Sequence, residues 1–85
     1  MHARVVVTLK REVLDPQGEA VRRGLESLGV TSVGEVRVGK VIEIELAEGT
    51  QDPRGVLRAA AEKLLANPVI EDFRIELPGD ASRDG

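Results

Sequence analysis

The chain has 85 residues, a formal net charge of −3, no cysteine, one histidine (His2) and one aromatic residue (Phe73). This excludes a disulfide framework and a Cys/His zinc site. The acidic balance and missing stacking aromatics argue against a nucleic-acid binder, and no apolar run nears the roughly 20 residues of a membrane span.

A single domain this short buries a small share of its surface, so its core is marginal without a staple or a partner. Self-association is the expected extra source of stability. With no signal-like apolar region after the start, the expected location is cytoplasmic.

The first element is a strand over residues 4–9, where Val5, Val7 and Leu9 alternate with the two-residue period of a half-buried strand. Asp15 is a helix N-cap, and Pro16 suits the first helical position, where its missing N–H costs nothing. Ala20, Val21, Gly24, Leu25 and Leu28 then form one apolar stripe, opposite Glu19, Arg22, Arg23 and Glu26. Gly29 is placed to end that helix in a left-handed conformation.

The middle of the chain admits two readings. Val36, Val38, Ile42, Ile44 and Leu46 keep one phase across Gly39-Lys40. A two-residue hairpin there would pair Val36 with Glu43 and put a charge on the core face. A three-residue loop, Gly39-Lys40-Val41, pairs Val38 with Ile42 and Val36 with Ile44. One long strand bent at Gly39 serves equally well, and would project into a partner's sheet.

The second helix repeats the first, with Asp52 as cap, Pro53 at its start, and Val56, Leu57, Ala60, Ala61, Leu64 and Leu65 as its apolar face. Asn67-Pro68 stops it, because proline disfavours helix in the residue before it. Phe73, Ile75 and Leu77 mark the last strand. Residues 1–77 thus read as one domain, and 78–85 as a flexible tail.

Sliding the chain by 37 residues superposes the two halves. Val5, Val7 and Leu9 fall on Ile42, Ile44 and Leu46. Asp15-Pro16-Gln17-Gly18 falls on Asp52-Pro53-Arg54-Gly55, Leu28 on Leu65, and Arg37 on Arg74. The expected fold class is α+β: a two-layer sandwich of duplicated βαβ units, in the order βαββαβ, with two helices on one face of an antiparallel sheet.

Chemistry is hard to find. Ser27, Ser32 and Ser82 lack an internal histidine to activate them. Glu43 and Glu45 alternate with Ile42 and Ile44, which makes them a solvated or partner-facing strand surface. Gly39-Lys40 lacks the rest of a phosphate-binding loop, and helix capping accounts for both Asp-Pro-x-Gly segments. Arg37 and Arg74 occupy equivalent repeat positions. They read as solvated charges or as docking contacts, since arginine is enriched at interfaces. No catalytic, cofactor-binding or metal-binding residue is expected. The residues expected to dock a partner are Arg37, Lys40, Glu43 and Arg74.

The strings V-V-V-T-L-K at Val5–Lys10, L-D-P-Q-G-x-A-V at Leu14–Val21 and L-L-A-N-P-V-I-E-D-F at Leu64–Phe73, with Val36-Arg37-Val38-Gly39-Lys40 between them, resemble the PurS family. These are the small subunits of phosphoribosylformylglycinamidine (FGAM) synthase, and the similarity runs from about Ala3 to Leu77. What the resemblance implies is a non-catalytic subunit of a glutamine-dependent C–N ligase complex in de novo purine synthesis. That complex converts formylglycinamide ribonucleotide, glutamine and ATP into formylglycinamidine ribonucleotide, glutamate, ADP and phosphate. The family's small subunit forms dimers, and joins a large synthetase subunit, which binds ATP and magnesium, to a glutaminase subunit so that ammonia passes between them. The competing reading from the residues is a stand-alone regulatory or small-ligand-binding homo-oligomeric module, since duplicated units of this size host many functions.

Overall fold

The computed structural model describes residues 1–80. Strand β1 (His2–Leu9) leads to helix α1 (Pro16–Ser27), strand β2 (Lys40–Glu45), helix α2 (Pro53–Ala60) with a π-type turn at Ala61–Leu65, and strand β3 (Glu71–Glu76). The sheet is antiparallel, in the order β2-β1-β3. This is the expected α+β fold, with the duplicated strand–helix pattern visible in both halves.

Alternation along β1 decides the two faces. Ala3, Val5 and Val7 are fully buried and meet Leu57, Ala61, Ala66 and Ile75 in the core. Ile42, Ile44, Leu46, Leu65, Phe73 and Leu77 pack around that core while staying partly open. On the other face, Arg4 reaches Glu76 at 3.3 Å and His2 reaches Glu43 at 3.2 Å. Such exposed pairs contribute at most about 1 kcal/mol each.

Both helices begin as their sequences dictate. The Asp15 carboxylate accepts the Gly18 N–H at 2.8 Å and the Asp52 carboxylate accepts the Gly55 N–H at 3.2 Å. Gly29, at φ +90°, ends α1. The Val30 N–H reaches back to the Leu25 carbonyl at 2.9 Å and the Gly29 N–H to the Glu26 carbonyl at 3.0 Å, the paired closure of a Schellman turn.

Three element-level expectations are corrected. Residues 33–38 belong to no helix or strand among the described residues, so neither hairpin register at Gly39 forms within the chain. Helix α1 buries only Gly18, and its stripe does not lie on the chain's own sheet beside α2. The π-type turn, closed by the Ala66 N–H on the Ala61 carbonyl at 2.9 Å, inserts one residue into the stripe of α2. That rotates Leu64 out to 81 % exposure, although its sequence position placed it on the apolar face.

Residues 78–80 form a turn in which the Asp80 carboxylate meets Arg54 at 2.6 Å and accepts the Leu77 N–H at 3.1 Å. The rest of the expected tail, 81–85, lies outside the described residues.

Candidate docking surface

The largest departure from compactness is the part of the chain between β1 and β2. The Cα radius of gyration is 15.9 Å, whereas a compact chain of this length would have about 12 Å. The excess comes from an arm, residues 10–38, that carries α1 away from the sheet.

Three contacts lock the base of this arm. Asp15, itself buried, accepts the Val38 N–H at 2.8 Å as well as the Gly18 N–H. Those two amide bonds, Gly18 first, hold its carboxyl below the ordinary value of 3.8. Gly18 packs so tightly on the Val36 carbonyl that a β-carbon there would run into its oxygen. The Arg37 guanidinium donates to the carbonyls of Lys10 at 2.7 Å, Val13 at 3.1 Å and Leu9 at 3.4 Å. The arm is therefore fixed by hydrogen bonds and close packing rather than hung on a loose linker.

What the arm presents is apolar. Leu28 is 81 % exposed, and Leu14, Val21 and Val30 are also open to solvent. Isolated exposed hydrophobics need no explanation, but a contiguous set on one rigid element marks an interaction surface.

The four residues expected to dock a partner fall in different places. Arg37 is half-buried and bound to its own loop. Lys40 is exposed at the head of β2, paired with Val7 and so in the phase of the core face. Glu43 is exposed on the outer face beside His2. Arg74 is on the same outer face but across β1, bound to Glu76 at 2.7 Å. Lys40 and Glu43 thus share the β2 edge, and Arg74 stands apart from it. Capping alone did not reveal the second bond of Asp15 or the close approach at Gly18. The only sequence signal was the repetition of Asp-Pro-x-Gly itself.

Among the described residues, no group of three or more His, Cys, Asp or Glu could hold a metal ion, and no helix is long and apolar enough to cross a membrane. The fold is a small α+β module with an exposed arm that carries apolar side chains.

Comparison with known proteins gives the particular family. The family model described as "PurS: Phosphoribosylformylglycinamidine (FGAM) synthase" matches residues 2–79, and the chain belongs to the PurS family. It is 45 % identical over 74 residues to the phosphoribosylformylglycinamidine synthase subunit PurS of Bacillus subtilis, covering 87 % of this chain and 88 % of that one. The solved PurS of Thermus thermophilus is 44 % identical with a TM-score of 0.73, covering 91 % and 96 % of the two chains. A chain of the PurLQS structure from Thermotoga maritima is 30 % identical with a TM-score of 0.74, covering 88 % and 94 %. Members of the family are named as subunits of FGAM synthase, so this chain is a subunit-type protein of purine biosynthesis.

Proposed function

We propose that the chain is a non-catalytic connecting subunit of a cytoplasmic FGAM synthase complex. It associates with itself and joins a large synthetase subunit to a glutaminase subunit, so that ammonia released from glutamine reaches the synthetase without escaping into water. ATP and magnesium belong to the large subunit in this reading, and the present chain binds no cofactor. The observation that carries it is the locked arm, which presents an apolar stripe the chain does not cover itself, in a family with a member solved in a PurLQS assembly. A site that transfers ammonia must exclude water, and a rigid connector contributes by fixing geometry and sealing the path. Lys40, Glu43 and Arg74 supply docking contacts, while Arg37 contributes by holding the arm in place.

Reconstitution tests this. Synthetase and glutaminase subunits are assayed with and without this chain, with glutamine or with ammonium as nitrogen donor. Leaving the chain out should abolish glutamine-dependent turnover and spare ammonia-dependent turnover. Glutamine-dependent turnover that is unchanged without it would overturn the proposal.

A further inference from the structure

The sheet order β2-β1-β3 leaves β3 at an edge. A strand edge carries unpaired N–H and C=O groups on which another chain can build. This strand suits such addition, because Phe73, Ile75 and Leu77 alternate with charged residues and Phe73 and Leu77 are only half-buried.

The pairing decides which groups face outward. The Lys10 N–H donates to the Ile70 carbonyl at 2.9 Å, just before the antiparallel pairs Leu9–Glu71 and Thr8–Asp72. Successive residues of an extended chain turn their N–H and C=O to opposite sides. Even-numbered residues of β3 therefore turn toward β1, and Glu71, Phe73, Ile75 and Leu77 turn outward.

Most of these outward groups are already taken. The Glu71 N–H donates to the Asn67 carbonyl at 2.7 Å. The Ile75 carbonyl accepts from Arg54 Nη1 at 3.4 Å. The Leu77 N–H donates to the Asp80 carboxylate at 3.1 Å, and the Leu77 carbonyl accepts the Asp80 N–H at 3.0 Å. Arg54 and Asp80 are themselves joined at 2.6 Å, so the caps form one clasp across the end of the strand. The turn that brings Asp80 back has the residues of a type II turn, Pro78 followed by Gly79 at φ +97°. Among the described residues, Phe73 is the only outward-facing one with neither backbone group bound. An incoming strand finds a window of one residue.

The repeat shows that the clasp is not a by-product of the βαβ unit. Shifting by 37 residues carries Arg54 onto Gln17 and Asp80 onto Glu43. Gln17 has no charge, and Glu43 meets His2 instead. The second half alone has the pair.

We infer that the Arg54–Asp80 clasp and the Pro78-Gly79 turn are an edge guard, which closes β3 to strand addition so that the sheet does not grow from this side. A sheet that accepts strands on both edges can join head to tail and extend without closing. With β3 shut, association ends at a fixed size. As an exposed ion pair the clasp adds little stability. Its effect lies in which backbone groups it withholds.

Three variants test this. Asp80→Ala removes the acceptor of the Leu77 amide and the anchor of Arg54 together, and Arg54→Ala frees the Ile75 carbonyl. Arg54→Asp/Asp80→Arg keeps an ion pair whose side chains can neither donate to Ile75 nor accept from Leu77. In Asp80→Ala the Leu77 amide should exchange about fivefold faster, as for the loss of one exposed hydrogen bond. In sedimentation velocity the unsubstituted protein should reach a limiting size as concentration rises, and all three variants should grow past it. In the larger species the Phe73 and Ile75 amides should gain protection while those of β1 stay protected. Variants that stop at the unsubstituted size would overturn the guard. So would growth that leaves the Phe73 and Ile75 amides fast, an unchanged Leu77 rate, or an unsubstituted protein that itself grows without limit. An exchanged-charge variant that stops at the normal size would show that the ion pair alone acts, and would overturn the capping. If Asp80→Ala loses its β1 protection, Arg54→Ala and the exchanged-charge variant decide by the same readings.

Discussion

Asp15 joins two elements with one carboxylate. One oxygen receives the Gly18 amide at the start of α1 and the other receives the Val38 amide at the end of the arm. Asparagine offers one acceptor oxygen and turns its NH2 group toward the other amide, so it can satisfy only one. The folded-state pKa of Asp15 lies below its ordinary value of 3.8, so the charged form contributes stability that is present in full above that value. It is lost as pH falls through the lower, folded-state value. Asp15→Asn should therefore unfold at lower urea concentration than the unsubstituted protein near neutral pH, and the gap should close below about pH 4. Other acids such as Glu19, whose carboxyl is held down by Arg22, titrate in both proteins and cancel in the difference. A gap of constant size from neutral to acid pH would show that the charge of Asp15 is not what binds the arm.

At the scale of elements, the two helices have the same start and opposite surroundings. Leu57 of α2 is 1 % exposed against β1 and β3, and truncation to alanine should cost about 2–5 kcal/mol. Leu28, at the end of α1 and 81 % exposed, should cost less than about 0.5 kcal/mol when truncated in dilute protein. With self-association that cost rises toward the value for a buried leucine as concentration increases. Denaturant midpoints of both variants at low and high concentration check this, and a Leu28→Ala cost that stays negligible at high concentration would mean that the stripe of α1 is never covered. The helix starts, the Gly29 stop and the alternation of β1 were all legible in the sequence, because each rests on one local signal. The place of residues 33–38 was not. Alternation at Val36 and Val38 shows that a segment has two faces, but not whether it pairs with the chain's own sheet. The π-type turn was hidden for a related reason: no proline or glycine marks Ala61–Leu65, so a regular stripe predicted Leu64 inside. Of the four residues expected to dock a partner, Lys40 and Glu43 lie on the same strand, β2, at the edge of the sheet. Arg37 turned inward because three carbonyls of a tight loop outcompete water for a guanidinium that the segment 36–38 brings over them.

For the molecule as a whole, the question is how a chain with dimensions of 49 × 31 × 17 Å keeps a folded core built on so few buried side chains. Ala3, Val5, Val7, Leu57, Ala61, Ala66 and Ile75 are a small core for any domain, and a chain of this size has little surplus stability. The arm adds the entropy cost of ordering some thirty residues without burying their apolar side chains in return. In the self-association proposed above, a second copy would offset both by covering apolar surface that one chain leaves open. Stability should then depend on protein concentration by mass action. Above the dissociation constant, each tenfold dilution should remove about 1.4 kcal/mol per dimer from the unfolding free energy. Guanidinium unfolding over a hundredfold range of concentration would measure it as a shift in midpoint at constant slope. A midpoint that does not move would show that one copy is self-sufficient, and the arm would then have to be held for the other subunits alone.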